Sequence, residues 1–314
     1  MKIIKPKFWD NRKISLISYL LLPVAKIIEF FSKNNFNKRK KLDGIKSICV
    51  GNIYIGGTGK TSLAVEIKKT LDASNIKSCF IKKLYSDQSD ERMILNEYGE
   101  VFSSNSRREA LTQAKKKGYE IAIFDDGLQD KELLYDLNIV CFNKKNEIGN
   151  GLVIPAGPLR EKLENIKNYK LVVLNGNDEN NIEFRKLLFD TNNNVLIFET
   201  KYILKNLEKF DLNDQYLVFS GIGNHRTFID MLNKYKFKIF KDLEFPDHYK
   251  YHQKDLENIN LLAKKENLKI LTTKKDYLRI SLKNKKDLSY VDIKLKINDY
   301  DNFKKEILKV NEIN

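Results

Sequence analysis

The stretch Gly56-Gly57-Thr58-Gly59-Lys60-Thr61 follows a short apolar run, Ile48-Cys49-Val50, and opens an amphipathic helical pattern over residues 60–73. Glycines let backbone N–H groups turn inward towards phosphate oxygens, because no Cβ blocks the approach. The helix that follows would point its positive N-terminal end at the same anion. The order strand, glycine-rich loop and helix therefore predicts a phosphate-binding loop for a nucleoside triphosphate.

Residues of this loop have separate predicted roles. Lys60 is expected to reach the β- and γ-phosphates of ATP, and the Thr61 hydroxyl to hold Mg²⁺. The consensus loop has a glycine where this chain has Tyr54, so a glycine-rich turn with a chance Lys-Thr pair is the alternative. The predicted ATP- and phosphate-binding set is Gly56, Gly57, Thr58, Gly59, Lys60, Thr61 and Ser62.

A second apolar run, Ile121–Phe124, ends in Asp125-Asp126-Gly127. This is the pattern of a Walker B strand, whose carboxylate binds Mg²⁺ directly or through water. The carboxyl ends of parallel strands share one edge of a sheet, so the run would meet the phosphate loop there. We therefore predict Asp125 and Asp126 as metal-site residues and Gln129 as a residue that orients a phosphate or the nucleophile. Taken alone, Asp-Asp-Gly is also a common turn.

Two weaker signals contain polar side chains suited to proton transfer. Asp90 and Glu91 follow the second predicted strand, where a carboxylate could accept the proton of an attacking hydroxyl, although an ordinary helix cap is the alternative. His248 lies in the run Phe245–Tyr249 and is one of only three histidines. A lone histidine is more often structural than catalytic, and Gly221–Asn224 is at most a weak anion-receptive turn.

Apolar strand-like runs alternate with helical patterns, which indicates a parallel α/β sheet with helices on both faces. Strands are predicted at Ile48–Val50, Cys79–Ile81, Ile121–Phe124, Ile139–Phe142 and Leu171–Leu174, with helices over 60–73, 106–117 and 159–168. A second set has strands at Tyr216–Phe219, Phe237–Phe240 and Lys269–Thr272 and helices over 226–235 and 253–265. An extended segment over 195–204 separates the two sets and could pair with a late strand, Val291–Ile297.

These patterns predict a P-loop NTPase-like α/β/α sandwich and a second, smaller α/β domain joined by a two-stranded linker. The predicted boundaries are an N-terminal segment over 1–46, a P-loop domain over 47–195, a linker strand over 196–204, the second domain with the return strand over 205–298, and a C-terminal helix over 299–314. The length of 314 residues suits two domains.

Composition limits the classes of protein. The three cysteines are isolated in apolar runs, without metal-ligand or redox spacing, which indicates buried thiols in a reducing compartment. The net charge is +15, and residues 1–46 hold 12 Lys and Arg against 3 Asp and Glu. A basic patch can serve nucleic acid, an anionic membrane or an acidic substrate. Richness in Lys, Asn and Ile also follows from AT-rich coding, so overall basicity is weak evidence.

The N-terminal segment carries an amphipathic helical pattern. Its apolar run, Ile14–Ala25, is too short to span a bilayer and contains Pro23, and no cleavage site of a secretory signal follows it. Trp9 and Tyr19 suit an interfacial depth. A helix lying on an anionic membrane and a helix packed on its own domain are both compatible with the pattern. The apolar stripe comprises Leu16, Ile17, Leu20, Leu21, Val24, Ile27, Ile28 and Phe31.

Taken in order, the motifs resemble one family, the tetraacyldisaccharide 4′-kinases that phosphorylate the lipid A precursor of Gram-negative bacteria. The resemblance runs from Phe8-Trp9 to about residue 280. Its ordered motifs are Val50-Gly51-Asn52, the phosphate loop, Asp90-Glu91, Asp125–Gln129, Gly149-Asn150-Gly151, Ile154–Glu161, Gly221–Asn224, Phe245–His248, Thr272-Thr273 and Lys275-Asp276.

This resemblance implies transfer of the γ-phosphate of ATP to the 4′-hydroxyl of a tetraacylated glucosamine disaccharide 1-phosphate, which yields lipid IVA. It implies two α/β/α domains with the site in the cleft between them, a peripheral position on the cytoplasmic face of the inner membrane, and a monomer. Asp90 would be the base, assisted by His248 across the cleft, while Glu91, Asp125, Asp126 and Gln129 would serve the metal and phosphates. Separately, Arg160, Lys162 and the N-terminal lysines are candidate contacts for the 1-phosphate, and a solvated surface charge is the alternative for each.

Three single residues and one four-residue turn depart from the family pattern, and they put the lining of the substrate site in doubt. Asp130 replaces a usual His, His225 a usual Pro and Lys274 a usual Glu. Lys83-Leu84-Tyr85-Ser86 replaces a usual Arg-Gly-Tyr-Gly turn.

Two other functions compete with the kinase. A MinD-like or GTPase-like membrane switch would hydrolyse nucleotide without group transfer, but Ile55 replaces the signature lysine of the ATPases. The nearest guanine-reading motif, Thr273–Asp276, has Thr where Asn is needed. A nucleic-acid-binding NTPase would need basic clusters interleaved with aromatic residues, which are not evident. We therefore expect no nucleic-acid partner.

Overall fold

The computed structural model describes residues 5–33, 39–84, 89–177 and 180–312, without the side chains of 31–33 and 89. Within these residues the chain forms two units. The larger unit comprises the described parts of Lys5–Leu84, Leu95–Lys201 and Ile297–Asn314. The smaller unit comprises Tyr202–Lys296 and the described part of Tyr85–Ile94. The predictions for Tyr85, Ser86 and the side chain of Phe31 lie outside the described residues.

The larger unit is built on a parallel sheet. Its strand order is β7-β6-β5-β1-β4-β2-β3, with β12 beyond β7. The central strands β1, β4, β5 and β6 are almost entirely buried, so they appear in the sequence as continuous apolar runs. The strands are β1 (Lys46–Gly51), β2 (Ser78–Lys83), β3 (Val101–Ser104), β4 (Ile121–Asp125), β5 (Leu137–Asn143), β6 (Leu171–Asn175), β7 (Leu196–Leu204) and β12 (Ile293–Ile297). Residues 202–204 of β7 and 293–296 of β12 group with the smaller unit.

The register between β1 and β4 brings the glycine-rich loop next to the end of β4. Val50 pairs with Asp125, so the chain leaves β1 for the glycine-rich loop beside the carboxylates that end β4. The helices are α1 (Leu16–Lys33), α2 (Lys60–Asp72), α4 (Arg107–Lys116), α5 (Ile182–Thr191) and α9 (Tyr300–Glu312), together with α3 (Ser89–Asn96), which begins in the smaller unit. The P-loop NTPase-like fold predicted from the sequence is confirmed.

The smaller unit has a parallel four-stranded sheet of order β11-β10-β8-β9. Successive residues of β8 point to opposite faces, so Val218 packs in one core with α6 and Phe219 in another with α7. The elements are β8 (Gln215–Ser220), α6 (His225–Lys234), β9 (Lys238–Glu244), α7 (Gln253–Lys265), β10 (Lys269–Thr273), α8 (Lys274–Arg279) and β11 (Leu288–Val291). Of these elements, β8, α6, β9, α7 and β10 were predicted in this order, and α8 was not predicted.

Helix α1 packs through a narrow face. Ser18 and Ala25 are buried, and the Asn150 side-chain amide donates to the Ser18 hydroxyl at 3.2 Å. Within the described side chains, most of the apolar stripe is exposed, with Leu16 82% and Leu20 79% exposed. Trp9 does not fit the interfacial role predicted for it, because it is buried and its indole N–H donates to the Pro155 carbonyl at 3.1 Å. None of the described helices is both long enough and apolar enough to cross a membrane.

Several elements differ from the predictions. The helix predicted over 159–168 is only a 3-10 helix, Leu163–Asn168, because Leu159 bridges back to Tyr54. The late strand is split into β11 and β12 at Asp292, whose backbone N–H is held by the Asn206 side chain at 2.9 Å. β3, α3 and α5 were not predicted. The C-terminal helix α9 belongs to the larger unit, and Tyr85–Ile94 groups with the smaller one, unlike the predicted boundaries.

Candidate active site

The glycine-rich loop has the backbone that its glycines permit. Gly56 and Gly59 have φ of +119° and +84°, a region that side chains with a Cβ rarely enter. Gly59 caps α2, so the first N–H groups of that helix are available to an anion. The side-chain amide of Asn175, at the end of β6, donates to the carbonyl of Thr58 and fixes the loop to the sheet.

Tyr54 has a structural reason to replace the consensus glycine. Its ring is 2% exposed and packs with Val153 and Leu159. Ile55 N–H donates to the Pro158 carbonyl at 2.9 Å, next to this contact. Tyr54 therefore anchors the phosphate loop to the Ile154–Glu161 motif.

Asp125 is the last residue of β4 and contacts the first turn of the helix that follows the phosphate loop. Its Oδ2 accepts a hydrogen bond from the Thr61 hydroxyl at 3.2 Å and one from the Lys82 ammonium at 2.8 Å. The side chains of Lys82 and Asp125 are 3% and 0% exposed. Sequence reasoning missed Lys82, although a lysine in the apolar strand β2 was a signal for a buried ion pair.

The Asp126 carboxylate lies close to two cationic side chains of the site. Arg160 Nη1 donates to its Oδ1 at 2.9 Å, and Lys60 Nζ lies 3.9 Å from the same atom. Burial raises the pKa of Asp126, but Lys60, Arg160 and Lys82 outweigh burial and lower the pKa below its ordinary value. The carboxylate therefore stays ionised and keeps Lys60 directed at the loop.

Gln129 connects the phosphate loop to the Ile154–Glu161 motif. Its amide N–H groups donate to the Asn52 carbonyl and to Glu161 Oε1, both at 3.0 Å. Its oxygen accepts from Arg160 Nη1 at 3.1 Å. In this structure Gln129 thus orients Arg160, in addition to the phosphate-orienting role predicted for it.

Arg107 is a second residue that sequence reasoning missed. It begins α4, is buried, and donates to the backbone carbonyl of Asp126 and to Asp130 Oδ2, the latter at 3.2 Å. A cation at the positive end of a helix is unfavourable without an anionic partner. An arginine at the start of the predicted helix was therefore a signal for an ion pair. Asp130, which departs from the family pattern, is the carboxylate that pairs with it.

The smaller unit holds the other predicted residues. Asp90 is 1% exposed, and its Oδ2 accepts from Arg279 Nη2 at 2.7 Å. His248 Nδ1 lies 3.6 Å from Asp90 Oδ1 and 3.2 Å from Arg279 Nη2. His248 Nδ1 therefore lies within reach of both the carboxylate and the guanidinium. Asp90 and His248 thus share one unit, which differs from their expected placement in opposite halves.

Arg279 is anchored from its other side by Asp276, at 3.0 Å. Asp276 also accepts from the backbone N–H of Gly221 and from the Tyr251 hydroxyl, each at 2.9 Å. Gly221–Asn224 therefore supports this cluster through its backbone. Arg279 was missed because its short helix carries no chemical pattern of its own.

Glu91 forms an ion pair with Lys275 at 2.8 Å in the smaller unit. Burial lowers the pKa of Lys275, but Glu91 and Asp90 outweigh burial and raise it. The metal role predicted for Glu91 stays a prediction. Lys162, a predicted phosphate contact, is paired with Glu29 of α1 at 2.7 Å.

The Asp90 carboxylate links pH to stability. Burial raises the pKa of Asp90, but His248, Lys275 and Arg279 outweigh burial and lower it from 3.8 to about 2. The Asp90 carboxylate binds fewer protons in the folded than in the unfolded chain. Its contribution to the free energy of unfolding is therefore complete above pH ~4 and is lost as the pH falls through ~2. The shift corresponds to roughly 2 kcal/mol.

We expect Asp90→Asn to destabilise the chain at pH ~5.5, with the difference from wild type shrinking by roughly 2 kcal/mol as pH falls from about 4 to about 2. Denaturant unfolding across this range measures the difference. Asp287→Asn, which changes an exposed carboxylate of the same unit, is the control with a flat difference. A difference that does not change with pH would assign the effect to something other than Asp90 ionisation.

The larger-unit site offers suitable ligands to Mg²⁺. Asp125 Oδ1 is buried and has no hydrogen-bond partner, and the Thr61 hydroxyl lies beside the same carboxylate. Carboxylate and hydroxyl oxygens, completed by phosphates and water, are what Mg²⁺ prefers. Among the described residues there is no group of three or more His, Cys, Asp or Glu that could hold a metal.

A parallel α/β sheet, a phosphate loop and two carboxylates at the end of the neighbouring strand define the class of P-loop nucleotide-binding proteins. The model of the family described as tetraacyldisaccharide-1-P 4′-kinase, LpxK, matches residues 12–312. The chain belongs to this family, and the recognition made from its motifs is confirmed.

Individual relatives agree with this assignment. The chain is 52% identical over 314 residues to a tetraacyldisaccharide 4′-kinase of Pelagibacter ubique, with both chains covered completely. It is 33% identical to one of Rickettsia akari, covering 100% of this chain and 99% of the relative. The crystal structure of LpxK from Aquifex aeolicus in complex with ATP has a TM-score of 0.70 at 24% identity, covering 94% and 99%. Family membership confirms the prediction of a kinase and does not favour the membrane switch.

Proposed function

We propose that this chain transfers the γ-phosphate of ATP to the 4′-hydroxyl of a tetraacylated glucosamine disaccharide 1-phosphate, forming lipid IVA. The observation that carries this proposal is the meeting of Lys60, Thr61, Asp125 and Asp126 at one sheet edge, in a chain that matches the kinase family over nearly its whole length. The Aquifex relative, whose crystal structure is a complex with ATP, supports ATP as the donor.

Phosphate transfer needs positioning and neutralisation of charge more than covalent chemistry. The loop backbone and the start of α2 would hold the phosphates, and Lys60 would neutralise the oxygens next to the bond that breaks. Arg160, held by Asp126 and Gln129, adds a second fixed cation. Mg²⁺, held by Thr61 and Asp125, would supply further neutralisation of the phosphate charge.

Asp90 would accept the proton of the attacking 4′-hydroxyl. A carboxylate with a pKa of about 2 is a weak base, so it takes the proton only as the new O–P bond forms and the hydroxyl becomes strongly acidic. Arg279 and His248 hold this carboxylate ionised at neutral pH. Asp90 would thus orient the hydroxyl first and take its proton late in the chemical step.

The proposal is tested by incubating ³²P-labelled ATP with the purified acceptor in detergent micelles. We expect labelled lipid with phosphates at positions 1 and 4′, and no label on an acceptor already phosphorylated at the 4′-hydroxyl. Hydrolysis of ATP without labelled lipid, with or without the acceptor, would contradict the kinase and favour the membrane switch.

We further propose that α1 binds the cytoplasmic surface of the inner membrane, where the acylated acceptor would lie. Its exposed apolar stripe and the basic charge of residues 1–46 are the features that an anionic bilayer attracts. The helix also packs on the larger unit through Ser18 and Ala25, so both positions predicted for it from the sequence are compatible with the structure.

The double variant Leu16→Glu/Leu20→Glu is expected to weaken binding to vesicles of anionic and zwitterionic phospholipid by roughly two orders of magnitude, because each leucine loses about 1.5–3 kcal/mol of burial. Co-sedimentation measures this partition. Leu282→Glu, at a residue of the smaller unit that is 87% exposed, is the matched control. Equal partition of both variants and wild type would contradict the role of α1.

A further inference from the structure

Lys82 is a buried cation in contact with the carboxylate that the nucleotide site offers to a metal. It extends from β2, whose Cys79, Phe80 and Ile81 are fully buried, and its ammonium lies 2.8 Å from Asp125 Oδ2. An ammonium is costly to bury unless an anion accompanies it. The sheet therefore keeps a positive charge at Asp125 even when no ligand is bound.

At this position the Lys82 ammonium would repel a divalent cation bound to Asp125. Asp125 Oδ2 already accepts from Thr61 and Lys82, and only the buried Oδ1 has no hydrogen-bond partner. A metal ion at Asp125 would lie a few Å from the ammonium, where like charges repel strongly because little water screens them. The phosphates of a nucleoside triphosphate, in contrast, are attracted by both the Lys82 ammonium and the metal ion.

We propose that Lys82 is a positioning residue that makes metal binding at Asp125 conditional on nucleotide. The ammonium offsets the charge of Asp125, so the carboxylate alone holds a divalent cation weakly. The phosphates of the nucleotide supply the missing negative charge and bring the cation with them. This inference rests on the proposed nucleotide site and adds an order of assembly to it.

Manganese binding tests the proposal without any turnover. Wild type and Lys82→Met are titrated with Mn²⁺ without nucleotide, and free Mn²⁺ is followed by electron paramagnetic resonance. We expect Lys82→Met to bind Mn²⁺ at least about ten-fold more tightly than wild type, because the repelling charge is gone. ATP binding in EDTA, measured by calorimetry, should weaken by about ten-fold in the same variant, because a cation near the phosphates is lost.

Opposite changes in the two affinities separate this role from a structural one, since a damaged fold would weaken both. Lys82→Arg keeps the charge and should retain both wild-type affinities. Lys68→Met removes another buried lysine, one paired with Asp72 on α2, and should change neither. Lys82→Gln, which can still donate to Asp125, replaces Lys82→Met if that variant does not fold, with the same expected directions.

Unchanged Mn²⁺ affinity in a folded Lys82→Met or Lys82→Gln protein would overturn the inference. A fall of both affinities together would overturn it as well. Failure of the proposed kinase reaction is distinguishable, because it appears as missing labelled lipid in the transfer assay and leaves the Mn²⁺ and ATP affinities unaffected.

Discussion

Replacing Lys60 by alanine is expected to lower the rate of phosphate transfer by on the order of 10³-fold or more, because Lys60 is the lysine of the phosphate loop. Lys60 lies at the first turn of α2, 13% exposed, with its Nζ near Asp126 Oδ1. The change removes the positive charge that would neutralise the oxygens next to the breaking bond, where negative charge grows in the transition state. The labelled-lipid assay measures kcat and the KM for ATP.

Lys69→Ala is the matched control for this prediction. Lys69 lies on the same helix, and its ammonium pairs with Glu66 at 2.6 Å. Its loss should leave kcat within about two-fold of wild type, since exposed ion pairs contribute little. Activity of Lys60→Ala close to that of Lys69→Ala would remove the phosphate-loop argument.

Replacing Asp90 by asparagine is expected to lower kcat by roughly 10²–10⁴-fold while the KM for ATP stays near its wild-type value. Asparagine keeps the shape of the side chain and can still accept from Arg279, but it cannot take the proton of the acceptor hydroxyl. The expected loss therefore falls on the chemical step rather than on nucleotide binding. Single-turnover transfer at saturating ATP isolates this step.

His248→Ala supplies a second arm of this experiment. If Asp90 and His248 act as one unit, the double variant should be little slower than Asp90→Asn alone, because residues that act together are not additive. Asp287→Asn should retain wild-type transfer. A fully active Asp90→Asn enzyme would exclude Asp90 as the base, and additive losses would mean that His248 acts independently.

The buried strands were predictable because both faces of a parallel sheet are covered and the strands become continuous apolar runs. Val101–Ser104 escaped notice since an edge strand of four residues, half of them serine, shows no such run. The amphipathic pattern of α1 was recognised, but which face packs could not be read from it. Its packing face is set by Ser18 and Ala25, small residues that fit against residues far along the chain.

The residues of the site also divide into those that the sequence could predict and those that it could not. The phosphate loop and Asp125-Asp126 are local motifs, in which neighbours along the chain carry the chemistry together. Lys82 and Arg279 act on partners 43 and 189 residues away. Only the folded chain shows that a lysine in a strand and an arginine in a short helix neutralise the two carboxylates most important to the proposal.

The docking of the N-terminal segment has a consequence for the order of events during synthesis. Trp9 and Ser18 are held by Pro155 and Asn150, residues that the ribosome adds more than a hundred positions later. At the usual pace of translation this interval lasts on the order of ten seconds. Throughout it the docking surface for the Ser18 and Ala25 face of α1 does not yet exist, so this face is open to lipid or a chaperone together with the apolar stripe.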